Sequence, residues 1–156
     1  MCRKETQQWA KTFYLGTLLL PYEKRKAIWA IYVWCRRTDE LMDSPEALKK
    51  SEEELAESLN SWEENTKNIF KGIVKTDLDA VLSDTLEKYP QTIAPYLDMI
   101  AGQRMDLTKF RYKNFDELKL YCYRVAGTVG LMTQNVMGID AFYEAASWIE
   151  VPDISE

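Results

Sequence analysis

The stretch Pro21–Pro45, PYEKRKAIWAIYVWCRRTDELMDSP, decides how the rest of the 156-residue chain is read. At helical spacing Tyr32, Arg36, Asp39 and Asp43 fall at i, i+4, i+7 and i+11, so one face of a single helix carries an aromatic ring, a guanidinium and two carboxylates. Such a stripe reads as a binding surface. Ser44-Pro45 ends the helix, because proline disfavours helical backbone in the residue before it and has no N–H for the ladder. Asp39, Glu40 and Asp43 therefore crowd the last turn, where the macrodipole is negative and each carboxylate is disfavoured by roughly a few tenths of a kcal/mol. Two readings offset that cost. In one, Asp39 and Asp43 hold Mg2+, which keeps most of its waters and takes one or two carboxylates plus substrate phosphates. In the plainer one, Arg36 and Arg37 screen a solvated helix end.

Composition narrows the chemistry. The chain has 46% hydrophobic and 29% charged residues, as a globular domain does, and its length fits one domain. A net charge of −5, with basic residues clustered only at Lys24–Lys26 and Arg36-Arg37, argues against nucleic acid as a partner. Neither cluster suffices to anchor a membrane alone. There is no histidine, which excludes Ser-His-Asp and Cys-His catalysis and histidine-containing zinc sites. Cys2, Cys35 and Cys122 are odd in number and lack C-x-x-C spacing, which favours a reducing compartment. No apolar run approaches the ~18 residues of a transmembrane helix, and MCRKETQQW has no secretory or transit character.

Along the chain, 2–20 reads as a short helix and a turn, with Trp9, Phe13, Tyr14, Leu18 and Leu19 as its apolar set. The acidic text over 44–64 reads as a surface helix with Leu48, Leu55, Leu59 and Trp62 apolar. Asp77 to Lys88 reads as a capped helix with Leu78, Val81, Leu82 and Leu86 inward. A helix over 92–108 carries Asp98, Gly102 and Asp106 at four-residue steps. A mid-helix glycine costs roughly 1 kcal/mol against alanine, so Gly102 implies close approach of a backbone or ligand. Asp98 and Asp106 lie ~12 Å apart along the axis and cannot share an ion; ion pairing with Arg104 or Lys109 is the plainer role. The last clear helix, over 114–137, has Tyr121, Val125, Thr128 and Met132 as its stripe, thinned by Ala126, Gly127 and Gly130. Close helix packing is the reading that the residues alone favour.

The wording of AKTFYLGTLLLPYEKRKAIWAIYVWCRRTDELMDSP, DMIAGQRMDL and RYKNFDELKLYCYRVAGTVGLM resembles the phytoene synthases of the squalene and phytoene synthase family, over roughly Lys11 to Asp140. The resemblance implies an all-α fold, a partial isoprenoid (terpenoid) synthase bundle lacking the C-terminal helices, with 1–140 as the synthase part and 141–156 as a divergent tail. It implies prenyl transfer: head-to-head condensation of two geranylgeranyl diphosphates to phytoene in carotenoid biosynthesis. Asp39 and Asp43 would bind Mg2+, with Mn2+ as a substitute, and Asp39, Asp43 and Tyr121 would form the catalytic set. Arg36 would hold the diphosphate. Thr12, Phe13, Tyr32, Val125 and Gly130 would line the substrate path. More distant relatives place a histidine where this chain has Trp9, and phytoene synthases vary there. The family's second acidic helix has no counterpart here: Asp140 and Glu144 are one turn apart, but Val136 and Thr133 precede them in place of Asn and Gln. The chain is thus expected to be inactive alone, with a dead fragment that binds diphosphate weakly or joins a full-length synthase as the alternative. Apolar faces around Trp29, Val33, Val125 and Val129 should be exposed. A plastid or cyanobacterial interior follows from the resemblance, and peripheral membrane contact stays open.

Overall fold

In a computed structural model, residues 1–108 and 111–138 are described, and the positions of Lys109, Asp140 and Glu144 fall outside them. The described residues are helical without strands: α1 (Cys2–Trp9), α2 (Lys11–Thr17), α3 (Tyr22–Asp43), a 3-10 turn (Ala47–Lys49), α4 (Glu52–Phe70), α5 (Asp77–Lys88), α6 (Ala94–Thr108), α7 (Phe115–Cys122), a π turn (Tyr123–Gly127) and α8 (Thr128–Met137). The all-α expectation holds.

Helix α3 is the axis of the bundle. Pro21 precedes its first residue and Ser44 stands extended before Pro45, so both ends are set by proline. Ile28, Ile31, Trp34 and Cys35 enter the main core with Leu59 and Ile69 of α4, Leu82 of α5, Met99 and Ile100 of α6, and Met132 and Val136 of α8. Trp34, 1% exposed, packs against Trp62 (ring centroids 6.0 Å apart) and edge-on to Tyr96 (4.7 Å). Burying an indole leaves an N–H that needs an acceptor. A threonine hydroxyl supplies it for Trp29 (Thr17, 2.9 Å), Trp34 (Thr66, 3.3 Å) and Trp62 (Thr38, 2.8 Å).

On its other side α3 meets α1 and α2, where Cys2, Tyr14, Trp29 and Val33 form a second cluster. Trp29 and Val33 are therefore buried, against the expected exposure, because α1 is a separate helix that folds over them after a break at Ala10 (φ −140°, ψ 70°). Leu48, an apolar position of the acidic stretch, is 77% exposed on the 3-10 turn. The exposed apolar side chains instead include Phe13, Leu15, Leu18 and Leu19 around α2 and Leu120, Leu131 and Met137 on α7 and α8.

Helix α5 occupies its expected span because Thr76 and Asp79 form a reciprocal capping box at its start. Asp79 also accepts from Arg37 Nη1 at 2.7 Å, tying α5 to α3. Burial raises the Asp79 pKa, but hydrogen bonds from Arg37 and Thr76 outweigh it and hold the carboxyl below its ordinary range. Arg37 is thus a structural cation, with its guanidinium over the Trp62 ring at 4.5 Å, and does not screen the acids at the end of α3.

The segment after residue 114 passes through the π turn, whose extra residue per turn interrupts the continuous stripe. Thr128, Met132 and Val136 are fully buried, whereas Tyr121 and Val125 are half-buried. Gly102 makes this contact fit, as its mid-helix position suggested. A Cβ there would stand 2.9 Å from both Arg124 Cβ and Val125 Cγ1. Gly102→Ala should cost about 1–2 kcal/mol, since overpacking outweighs the gain in helix propensity. A thermal melt in which the variant is more stable than wild type would contradict that packing.

Candidate active site

The expected acids sit at the C-terminal end of α3 with different surroundings. Asp39 is half-buried and its Oδ1 accepts from the Gln103 side chain at 2.9 Å, while Asp43, one turn on, is exposed. Gln103 is buried on α6, so it fixes Asp39 against that helix. Burial and the neighbouring Asp43 charge push Asp39 up to about 6, with Arg36 and the Gln103 hydrogen bond opposing. Neither aspartate forms an ion pair among the described residues, because Arg36 Nε pairs with Glu40 at 3.0 Å and Arg37 with Asp79. The Arg36 charge still acts on Asp39 and offsets part of the negative charge at this helix end.

The raised value has a sign that can be measured. Between about pH 4, where an unfolded aspartate titrates, and pH 6 the folded chain keeps a proton that the unfolded chain has released, so this group lowers stability as pH rises through that window. The Asp39 carboxyl carbon should titrate by NMR near pH 6, and Asp43→Asn should move its midpoint down. A wild-type midpoint near the ordinary value of about 4 would contradict the assigned surroundings.

Helix α6 supplies more of the site than its spacing suggested. Asp106 Oδ2 accepts from the Tyr121 hydroxyl at 3.0 Å, and Asp98 Oδ2 accepts from the Tyr123 hydroxyl at 3.0 Å. The alternative pairing with Arg104 is not found, since that guanidinium binds Asn60 and Glu63 of α4. Burial raises Asp106, with the Tyr121 hydrogen bond opposing and the Asp43 charge adding to the rise. Burial and Asp106 push the Tyr121 hydroxyl up, and Asp43 adds to it, so Tyr121 stays a neutral phenol facing the acids. No local signal marks Gln103 or the Tyr121 partner of Asp106, because these contacts span 64 and 15 positions.

Among the other candidates, Phe13 stacks on Tyr32 (5.2 Å, 28°). Phe13 also lines an apolar groove of about 330 Å³ with Gly16, Thr17, Leu20, Ile28, Thr133 and Met137. Thr12 is exposed on α2. Val125 leans one methyl on Gly102, and Gly130 is exposed with open space where a side chain would stand. The structure thus joins Phe13 to Tyr32 and places Asp43 within electrostatic reach of both Asp39 and Tyr121. It shows no contact that joins Thr12 or Gly130 to them.

The donor set suits Mg2+. It offers hard carboxylate oxygens one turn apart, and no group of three or more His, Cys, Asp or Glu side chains that could hold a metal unaided occurs among the described residues. Mg2+ needs only one or two such ligands when waters and phosphates complete its shell.

The helical bundle is the fold of solved terpenoid synthases. A dehydrosqualene synthase structure superposes with a TM-score of 0.75 at 32% identity, over 86% of this chain and 45% of that one. The squalene synthase HpnC from Alicyclobacillus acidocaldarius gives 0.79 at 26% identity, over 90% and 51%. The squalene/phytoene synthase family profile matches residues 6–149, and the chain belongs to that family. It is 57% identical over 148 residues to the 15-cis-phytoene synthase of a Synechocystis strain, covering 95% of this chain and 43% of that protein. It is 57% identical over 139 residues to the chloroplastic phytoene synthase 1 of Arabidopsis thaliana, covering 89% and 32%. The chain thus spans less than half the length of these relatives. No helix among the described residues is long and apolar enough to cross a membrane.

Proposed function

We propose that this chain carries a diphosphate-binding face of a phytoene synthase-type prenyltransferase, which joins two geranylgeranyl diphosphates head to head. One observation carries the reading: two carboxylates close α3, one fixed by Gln103, and neither is paired with a cation among the described residues. The names of the relatives support the substrate class. Asp39 and Asp43 would hold Mg2+ or Mn2+, which when bound supplies positive charge against a departing pyrophosphate. Arg36 orients that diphosphate by its guanidinium fork. Phe13 and Tyr32 present stacked rings at the mouth, where aromatic faces favour allylic cation character. Tyr121, Val125 and Gly130 border the reacting carbons and keep water away from them. Thr12 adds a hydroxyl on the α2 side. The relatives' sources fit a cyanobacterial or plastid interior.

In the reaction the first diphosphate leaves, the second substrate's double bond attacks the allylic cation and a proton is lost to give a cyclopropyl intermediate, and this rearranges as its own diphosphate departs, the resulting cation losing a second proton to give phytoene. Gripping a metal diphosphate from two sides takes two facing acid sets, and this chain spans less than half the length of its curated relatives. That observation favours a second reading, in which the 156-residue polypeptide alone binds diphosphate weakly, or joins a full-length synthase, without turnover. Incubation with geranylgeranyl diphosphate and Mg2+ should yield no phytoene above background, while Mg2+ with a diphosphate analogue should raise Tm modestly. Robust turnover would discard the second reading. A Tm indifferent to both additions would contradict the two readings together.

A further inference from the structure

Arg36 is held by two contacts that leave its fork free. Its Nε donates to Glu40 Oε1 at 3.0 Å, and its carbon Cζ lies 5.0 Å from the centroid of the Trp9 ring. A ring over a guanidinium uses its face and none of its N–H bonds. The two terminal nitrogens have no hydrogen-bond partner among the described residues, so both can donate to one anion. Trp9 is the last residue of α1, immediately before the break at Ala10 that starts α2 with Lys11 and Thr12. It is 52% exposed, whereas α1 itself is anchored by buried Cys2 and Thr6 and by Arg3 Nε donating to the Tyr14 hydroxyl at 3.0 Å. Trp9 therefore contributes little to the core, and its described partner is Arg36.

We infer that Trp9 is a positioning residue: it holds the Arg36 guanidinium so that both terminal nitrogens face a diphosphate beside Asp39 and Asp43. This rests on the reading of Arg36 as a diphosphate ligand. A guanidinium held over a ring loses less side-chain freedom on binding than a free one, so the contribution appears as affinity. An exposed cation–π contact of this kind corresponds to about two- to fivefold.

The test is calorimetric titration of the full chain with inorganic pyrophosphate in Mg2+. Trp9→Ala should weaken binding about two- to fivefold, Trp9→Phe should restore most of it, and Tm should be unchanged in both. Trp9→Ala placed on an Arg36→Met background should have no further effect, because the ring acts through the guanidinium; a purely structural role would keep its cost in that background. Equal affinity of Trp9→Ala and wild type, or additive losses in the double variant, would overturn the inference while leaving the diphosphate site standing. No binding by wild type would overturn both.

Discussion

Trp34→Ala should cost about 3–5 kcal/mol, a large fraction of the stability of a domain this size. Trp34 is 1% exposed at the middle of α3, stacked on Trp62 and edge-on to Tyr96, which in turn meets Phe70 at 5.0 Å. Truncation opens a cavity where α3, α4 and α6 meet and strands the Thr66 hydroxyl that its indole N–H now engages. Trp34→Phe separates these effects: it keeps most of the ring area and loses the hydrogen bond, and should cost about 1–2 kcal/mol. Urea denaturation followed by circular dichroism reads both. A loss below about 1 kcal/mol for the alanine variant would mean that α3 is not the organising helix.

The second large effect falls on ligand binding. Asp39→Ala should reduce Mg2+-dependent pyrophosphate affinity by tenfold or more, roughly the loss of one charge-assisted ligand of about 1.5–3 kcal/mol. Asp43→Ala should act similarly. In metal-free buffer at pH 7, however, Asp39→Asn should stabilise the fold, because it removes a half-buried charge pressed by Asp43 while keeping an oxygen for Gln103. A variant that loses ligand and gains Tm separates the site from the scaffold. Loss of both would make Asp39 a structural residue, and retention of full affinity would remove it from the site.

Local signals account for what was legible in the sequence. The bounds of α3 follow from Pro21 and Pro45, and those of α5 from the Thr76–Asp79 box, because prolines and caps act on neighbouring residues. Gly102 announced a close approach for the same reason: a bare backbone in a helix needs a cause. The Tyr32, Arg36, Asp39, Asp43 stripe was readable from spacing on one element. What spacing cannot supply is the identity of a distant partner. Arg37 looked like a screen for the acids beside it, yet it reaches Asp79 on α5, and Arg104 reaches α4 instead of the aspartates on its own helix. The covering of Trp29 and Val33 by α1, and the π turn that breaks the last stripe, are tertiary outcomes with no local mark.

The central claim is that the acids at the end of α3 hold a divalent metal against a diphosphate. Titrating substoichiometric Mn2+ and pyrophosphate into 15N-labelled protein tests it, because paramagnetic broadening of amide signals marks where the ion sits. Broadening centred on residues 36–43 and on Gln103 and Asp106, abolished in the Asp39→Ala, Asp43→Ala double variant, is the expected result. Broadening centred instead on Glu52–Glu54 at the start of α4, or spread without a focus and unchanged in the double variant, would contradict it.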